Sequence, residues 1–596
     1  VTKKDKRGVH ITNKVLAPKR DRNIVDFAEA EENPEKELQF AEETKQPAKD
    51  AKVLIGIVSA YDGTNKIATV KQADGSFVST KNYSGFNIVI DSPVAYMLDE
   101  RGEYTVIGTN QTENTWGLAG DWCEYKDCDT LSDDSVVLVG NVRSVNSPSY
   151  VAPNAYDPLA GSGFVQCVSA DGTALWSYQF GEDEGIVPLR CVVLSDDTIV
   201  VVGTFNSSIT VGASTYFCTN NNDIFIGRFD SSGTLFWGDI IAADDECIPD
   251  DLVRLSDDSV VFSSRLYSTG DSGYFGATTV TVPGTADSLG VVAKLTVAGV
   301  WSWVQPVTTD GDIGNIRLSV TSTDDIYVAG SYQAKFVTID TLTYTNTLGL
   351  TPPNIRVCMF AALLDSAGVA TWLEVGEATA GGAFANNKMS VSSVVTDSND
   401  DAVVIAGYNT NTGTFFDFGT IAITGLYGGF AQSEVLAMKI DYAGVWQWAA
   451  IATGSSIDFP AMAIPMTDGS VSLVGTYGSG SSFPSGGGST TFSSISLTPS
   501  TAYGNTFVAN VNVYGAWSWA NSATGDGDFN AVSFGSLATV VSISYPLFCI
   551  TKLSNNDLVV AGYFYEQQMG SAQFYNPPTD YSRYGVLRIT DTGDWP

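Results

Sequence analysis

The feature that most limits the folds open to this chain is a block that recurs seven times. Its clearest copies are Leu131-Ser-Asp-Asp-Ser-Val-Val-Leu-Val-Gly140, Leu194-Ser-Asp-Asp-Thr-Ile-Val-Val-Val-Gly203 and Leu255-Ser-Asp-Asp-Ser-Val-Val-Phe-Ser-Ser264. Looser copies end at Gly330, Gly407, Gly475 and Gly562. Each joins a polar turn to a short β-branched run, which reads as a strand. A second block follows the first: Ser169-Ala-Asp-Gly172-Thr-Ala-Leu-Trp176, then Asp230-Ser-Ser-Gly233-Thr-Leu-Phe-Trp237, with later copies at Gly299/Trp303, Gly368/Trp372, Gly444/Trp448 and Gly515/Trp519. The glycine supplies the positive φ of a tight hairpin turn. A tryptophan at a constant distance into the next strand then faces one way in every copy, because strand side chains alternate. The same alternation places Trp301, Trp446 and Trp517, two residues earlier, on that face.

The period runs from about 61 to 87 residues, with the variation between strands. The second copy yields four strands, Leu189–Leu194, Thr198–Phe205, Asp223–Phe229 and Leu235–Ile240. Four strands per unit in a radial array specify a β-propeller. The ends of the chain sharpen this reading. The seventh copy stops at Thr590-Asp-Thr-Gly593-Asp-Trp595-Pro596, where its tryptophan strand is due, and an orphan segment, Thr115-Trp116-Gly-Leu-Ala-Gly-Asp121, matches the missing strand. The expectation is an all-β, seven-bladed propeller over 115–596, closed by an N-terminal strand that removes two exposed sheet edges. Its structural residues are Trp116, Trp176, Trp237, Trp303, Trp372, Trp448 and Trp519 with Gly172, Gly233, Gly299, Gly368, Gly444, Gly515 and Gly593.

Over about 115–596 these units resemble the bacterial β-propeller repeats often called SBBP, most clearly in Ile224–Trp237 and Leu255–Val261. The resemblance implies a fold and little else, since the fold hosts unrelated functions.

The N-terminal part reads differently. Short apolar runs at Val53–Val58, Lys66–Lys71, Asn87–Asp91, Val94–Leu98 and Tyr104–Gly108, with turns at Asp62-Gly63, Asp74-Gly75 and Arg101-Gly102, predict a small OB-like β-barrel over 53–112. Its closing hairpin is similar in pattern to the small barrels of phage tail hubs and spikes. A nucleic-acid role would need a basic groove, and Lys66, Lys71, Lys81 and Arg101 are outnumbered by acids. Residues 1–52 form a charged arm, expected to be partly helical or disordered and to dock on a partner.

Chemistry is conspicuous by what is missing. The one histidine is His10, in the arm, so histidine triads and histidine zinc sites are ruled out for the barrel and propeller. No phosphate loop or dinucleotide fingerprint occurs. The eight cysteines show no CxxC pairing, and Cys167, Cys191 and Cys358 fall in strand runs as small apolar residues. A Cys123–Cys128 bridge has no support in the pattern. No catalytic, cofactor-binding or metal residues are therefore assigned. The acids divide by topology: Glu182–Glu184, Asp244–Glu246, Asp310/Asp312 and Asp526/Asp528 are expected on one face, and the Ser-Asp-Asp turns on the other. Calcium prefers such oxygen ligands, but no calcium-loop spacing occurs and hairpin-turn chemistry accounts for the Ser-Asp-Asp copies.

Charge bears on partners. Residues 1–52 carry 12 Lys/Arg against 11 Asp/Glu, whereas 116–596 carry 15 against 48. Such a body repels nucleic acid. No apolar stretch reaches the length of a membrane span. The basic start lacks the apolar run of a signal peptide, so a cytosolic product is expected unless a leader was removed. These features predict a non-enzymatic, homo-oligomeric virion component, such as a phage tail nozzle, hub or knob, docked on other structural proteins through residues 1–110. The alternatives are a surface or secreted propeller that binds glycan or protein through long loops such as Asn206–Asn222 and Gly478–Asn505, and a carboxylate- or metal-dependent propeller enzyme.

Overall fold

Seven four-stranded antiparallel sheets account for the repeat, one per copy. In this computed structural model the described residues are 117–120 and most of 123–589, leaving aside 143–162, 181–184, 347–356, 379–387, 410–414, 425–432, 480–488, 499–504, 526–547, 574–582 and shorter stretches; before them come 3–4, 10–11, 53–62, 67–71, 77–81, 93–98 and 104–109. Every regular element among them is a strand. The chain divides into two units, Val1–Asn114 and Thr115–Pro596.

In the larger unit each blade runs outward through strands a to d. Blade 1 is Cys123–Thr130, Val136–Val142, Gly163–Val168 and Ala174–Phe180; blade 2 is Val187–Val193, Ile199–Phe205, Asp223–Phe229 and Leu235–Ala243. Blade 3 is Cys247–Arg254, Val260–Tyr267, Ser288–Leu295 and Trp301–Thr309; blade 4 is Asp312–Val320, Ile326–Gln333, Cys358–Leu364 and Ala370–Ala378. Blade 5 is Lys388–Thr396, Ala402–Asn409, Glu434–Ile440 and Trp446–Gly454; blade 6 is Ile457–Pro465, Val471–Ser479, Asn505–Val511 and Trp517–Ser522. Blade 7 takes Phe548–Lys552, Leu558–Phe564 and Arg583–Ile589 from the end of the chain and Gly117–Gly120 from before blade 1. The pairing Tyr584↔Gly120, Gly585↔Ala119, Val586↔Leu118 and Leu587↔Gly117 is the expected closure. The a strands of successive blades lie side by side around the ring, from the seventh back to the first.

Strands b and c are covered on both faces by neighbouring blades, so they read as unbroken apolar runs rather than alternating ones. Ile199–Phe205, Cys358–Leu364 and Asn505–Val511 are buried throughout. The core consists of inter-blade layers, among them one joining blades 1 and 7 through Cys128, Val136, Leu138, Cys549, Ala561 and Val586.

Two features depart from the expectation. The first concerns the stretch between strands b and c. In blades 3 to 6 it folds as a hairpin that pairs with the outer strand of the preceding blade: Ser272–Thr281 on Ala242–Ala243, Phe336–Thr345 on Val307–Thr309, Phe415–Thr424 on Glu377–Ala378, and Thr490–Leu497 on Ala452–Gly454. The corresponding pair in blade 7, Gln567–Met569 with Ala572–Gln573, pairs with Thr524–Gly525. Blades 2 to 5 thus become six-stranded sheets. The supposed binding loop Asn206–Asn222 contains the hairpin Ser208–Phe217, and Gly478–Asn505 contains Thr490–Leu497.

The second departure concerns the tryptophans. A β-bulge at the start of strand d sets Trp301 opposite Leu295 and Trp303 opposite Lys294. Adjacent ladder positions face opposite sides, so the extra residue reverses the parity that simple alternation assumes. Trp301, Trp446 and Trp517 therefore turn away from Trp303, Trp448 and Trp519. They cover the hairpin of their own blade, packing edge-on against Phe275, Phe418 and Phe492 at 5.4, 5.1 and 4.9 Å.

In the smaller unit five strands close as a barrel: Val53–Asp62, Ile67–Lys71, Phe77–Lys81, Tyr104–Thr109, Pro93–Leu98 and back to the first. Phe77–Lys81 is a strand the sequence pattern did not single out, whereas the expected strand Asn87–Asp91 lies outside the described residues. So does most of the arm over 1–52; Lys3–Lys4 pairs with His10–Ile11.

Candidate functional site

The repeat residues meet across blade boundaries. The indole N–H groups of Trp176, Trp237, Trp303, Trp372 and Trp448 donate to the carbonyl oxygens of Ser231, Val297, Ser366, Tyr442 and Val513, each in the c–d turn of the next blade. The turn glycine has two duties there. Gly172, Gly233, Gly299, Gly368, Gly444 and Gly515 all hold φ between 78 and 84°. An added Cβ at Gly368 would lie 2.8 Å from Trp303, and one at Gly515 would lie 2.7 Å from Trp448. Trp519 packs against the layer between blades 6 and 7. Trp116 and Gly593 lie outside the described residues.

Hairpin-turn chemistry explains only half of the Ser-Asp-Asp block. Its first aspartate caps the local turn, as Asp133 does for the Ser135 N–H at 2.9 Å. Its second, in the left-handed region at Asp134, Asp197, Asp258, Asp324 and Asp400, reaches back to the preceding blade. There it accepts both the N–H and the hydroxyl of the matching residue: Ser132 to Asp197, Ser195 to Asp258, Ser256 to Asp324, Ser322 to Asp400 and Ser554 to Asp134. Thr467 and Asn556 make the equivalent link between blades 6 and 7. The Ser554–Asp134 clasp bridges 420 positions and closes the ring.

At the opposite ends of the blades the acids are tied to the hairpins. Asp244 accepts the Tyr274 hydroxyl at 2.8 Å and the Ser272 N–H at 3.1 Å. Asp245 and Glu246 accept from the side-chain amides of Asn221 and Asn222, and Asp310 accepts from the Lys335 N–H. Glu182–Glu184 and Asp526/Asp528 lie outside the described residues. Among the described residues no group of three or more His, Cys, Asp or Glu is placed to hold a metal ion.

The densest chemistry lies on the inner strands. The residue four positions before each first block occupies one level of the ring: Asp127, Arg190, Asp251, Arg317, Ser393, Met462 and Cys549. Aligning the copies on that position would have exposed the alternation Asp–Arg–Asp–Arg. Neighbouring a strands do not pair as a sheet, so their N–H groups need other partners. Side chains provide them. Asp127 accepts the Cys191 N–H at 3.0 Å, Asp251 the Leu318 N–H at 2.9 Å and Ser393 the Ala463 N–H at 3.3 Å. Arg190 lies 3.5 Å from Asp251. Alongside, Asp250 takes a two-pronged bond from Arg265, both almost wholly buried, and the Ile316 N–H. Arg317 donates to the Asp250 carbonyl oxygen.

Burial pushes the Asp127 carboxyl up to about 7, against the opposing pull of Arg190 and the Cys191 N–H. Burial, reinforced by the neighbouring Arg190, brings Arg317 down to about 10. Asp127 Oδ1 and Arg317 Nε are buried without a hydrogen-bond partner. The arc sets the carboxyls of Asp127, Asp250 and Asp251 against the guanidinium groups of Arg190, Arg265 and Arg317 on the inner strands. Its carboxylates are engaged with adjacent backbone.

These observations define the class: the larger unit is a seven-bladed β-propeller, closed by a strand from before its first blade. No protein-family model matches the chain, and no curated protein matches it. Solved structures that align with it include a protein of unknown function from Dyadobacter fermentans (11% identity, TM-score 0.35, covering 68% of this chain and 96% of that one). They also include the polysaccharide lyase Uly1 (10% identity, TM-score 0.39, covering 78% and 90%) and a quinohemoprotein alcohol dehydrogenase from Comamonas testosteroni (9% identity, TM-score 0.33, covering 92% and 77%). Likeness at these scores carries no statement about activity. No described helix is long and apolar enough to cross a membrane.

Proposed function

We propose that this chain is a non-enzymatic structural or binding protein in which a rigid propeller is carried into an assembly by its N-terminal 110 residues. The observation that carries the reading is where the side-chain chemistry is spent. Asp127, Asp250 and Asp251 hold neighbouring inner strands through their N–H groups, and the Ser-Asp clasps and tryptophans hold neighbouring blades. Groups that reinforce a ring are what a load-bearing component requires. A virion part such as a tail nozzle, hub or knob suits this, with an OB-like barrel and a docking arm as its attachment and a homo-oligomeric ring as its setting. The test is electron microscopy of the purified full-length chain, with its mass measured by light scattering. Closed rings of several copies are expected, and a monomer at micromolar concentration would refute the assembly reading.

A second reading, a propeller that binds glycan or protein, draws on exposed apolar side chains in the c–d turns: Val300, Val369, Tyr442, Val445 and Tyr514. Successive blades repeat them on one face, and repeated exposed apolar positions mark interaction surfaces. Binding to a glycan or protein array that Tyr514→Ser with Val445→Ser abolishes would favour it.

A further inference from the structure

The last joint of the ring differs from the others in its chemistry. Where blade 1 presents Asp127 and Asp129 to blade 2, accepting the N–H groups of Cys191 and Val193, blade 7 presents Cys549 and Thr551 to blade 1. Opposite them on the first strand of blade 1 stand Cys128 and Thr130. The two threonine hydroxyls are 2.8 Å apart across 421 positions of sequence, which sets the register of the joint. Two residues earlier on both strands, Cys128 and Cys549 lie in one buried layer, and the neighbouring Cys549 thiol adds to the burial that pushes the Cys128 thiol up. Both thiols are unoxidised and buried, and both belong to the apolar layer between these blades.

We propose that Cys128 and Cys549 form a disulfide-forming pair that locks the ring covalently across its closing joint. Bonding needs the two Cβ atoms close together on neighbouring strands, and the Thr130–Thr551 contact two residues on sets Cys128 and Cys549 at the same level of such strands. The oxidant is a small-molecule disulfide such as oxidised glutathione. The Cys128 thiolate attacks it and releases one glutathione thiol. The Cys549 thiolate then attacks the mixed disulfide and releases the second, so two protons leave and two electrons pass to glutathione. Burial raises the Cys128 thiol well above its ordinary range, and Cys549 is fully buried, so the reaction runs when the joint is open. The bond therefore forms as the ring closes during folding, or as blade 7 breathes, and is shielded from reductant afterwards.

The experiment refolds the full-length chain from denaturant in mixed oxidised and reduced glutathione, blocks free thiols, and maps cross-linked peptides by mass spectrometry. The same mapping is run on the purified native chain held with oxidised glutathione in sub-denaturing urea, so that failure to refold does not stand in for failure to bond. The expected product joins the peptides carrying Cys128 and Cys549, is lighter by two hydrogens, and migrates faster than the reduced chain on a denaturing gel. Cys549→Ala should abolish it and leave Cys128 blocked as a free thiol, whereas Cys191→Ala should leave it intact. Recovery of Cys128 and Cys549 as free thiols in both formats, or a bond from Cys128 to Cys191 instead, overturns the proposal.

Discussion

Replacing Asp127 by Asn tests whether burial on the inner strand raises its carboxyl in the folded ring. The carboxyl is 3% exposed, and its value of about 7 stands roughly 3 units above the usual 3.8. A raised carboxyl binds its proton more tightly in the folded ring than in the unfolded chain. Its contribution is therefore complete below the unfolded value and lost as pH rises through the folded one. At about 1.36 kcal/mol per unit the full linkage is about 4 kcal/mol, most of it, about 3 kcal/mol, expressed between pH 5 and pH 8. Asparagine has the same shape and can still accept the Cys191 N–H, but it does not titrate. Urea unfolding followed by tryptophan fluorescence at pH 5, 6, 7 and 8 measures both proteins. The wild type should lose about 3 kcal/mol more stability across that range than Asp127→Asn. Other carboxyls raised by burial, such as Asp129, Asp223 and Glu434, slope the same way in both proteins and cancel in the difference. Parallel pH profiles would refute the argument, since the group would then be solvated or neutralised in the folded ring.

Three further outcomes follow from the inter-blade contacts. Asp134→Ala removes both bonds from Ser554, at 2.7 and 2.6 Å, and should cost about 1.5–3 kcal/mol. Hydrogen exchange should speed up in Gly117–Gly120 and Arg583–Ile589 and stay unchanged in blade 3. Gly368→Ala forces a side chain to φ 84° and a Cβ to 2.8 Å from Trp303, so it should destabilise by more than about 1 kcal/mol and shift the tryptophan emission. Trp446→Ala empties the space beside Phe418 and should cost about 3–5 kcal/mol. Limited proteolysis should then cut first within Phe415–Thr424, and cleavage elsewhere would show that Trp446 does not secure that hairpin.

The architecture was legible because a propeller repeats its local rules. A Gly–Trp interval, a Ser-Asp-Asp turn and an apolar run recur with each blade, and local turn and strand preferences act over only a few residues. The closing strand could be inferred because the first and last fragments complement each other. What could not be read was anything depending on which residue stands across a blade boundary. The second aspartate of each turn is written as an ordinary turn residue, yet its partner is in the preceding blade. The same holds for Asp127, Arg190, Asp251 and Arg317, which lie about 60 positions apart and meet only on adjacent inner strands.

The tryptophan pairs mark this boundary most clearly. Sequence alone determined that Trp301 and Trp303 sit at the start of an outer strand, because spacing from a turn glycine is a local quantity. Only the tertiary structure decided that they face opposite ways, since the one-residue bulge exists to fit that strand to its neighbour and to the hairpin beneath Trp301. Sequence likewise determined that the stretches between strands b and c are long. That they run back to extend the preceding blade was decided by the outer edge left open there, whose free N–H and C=O groups require partners.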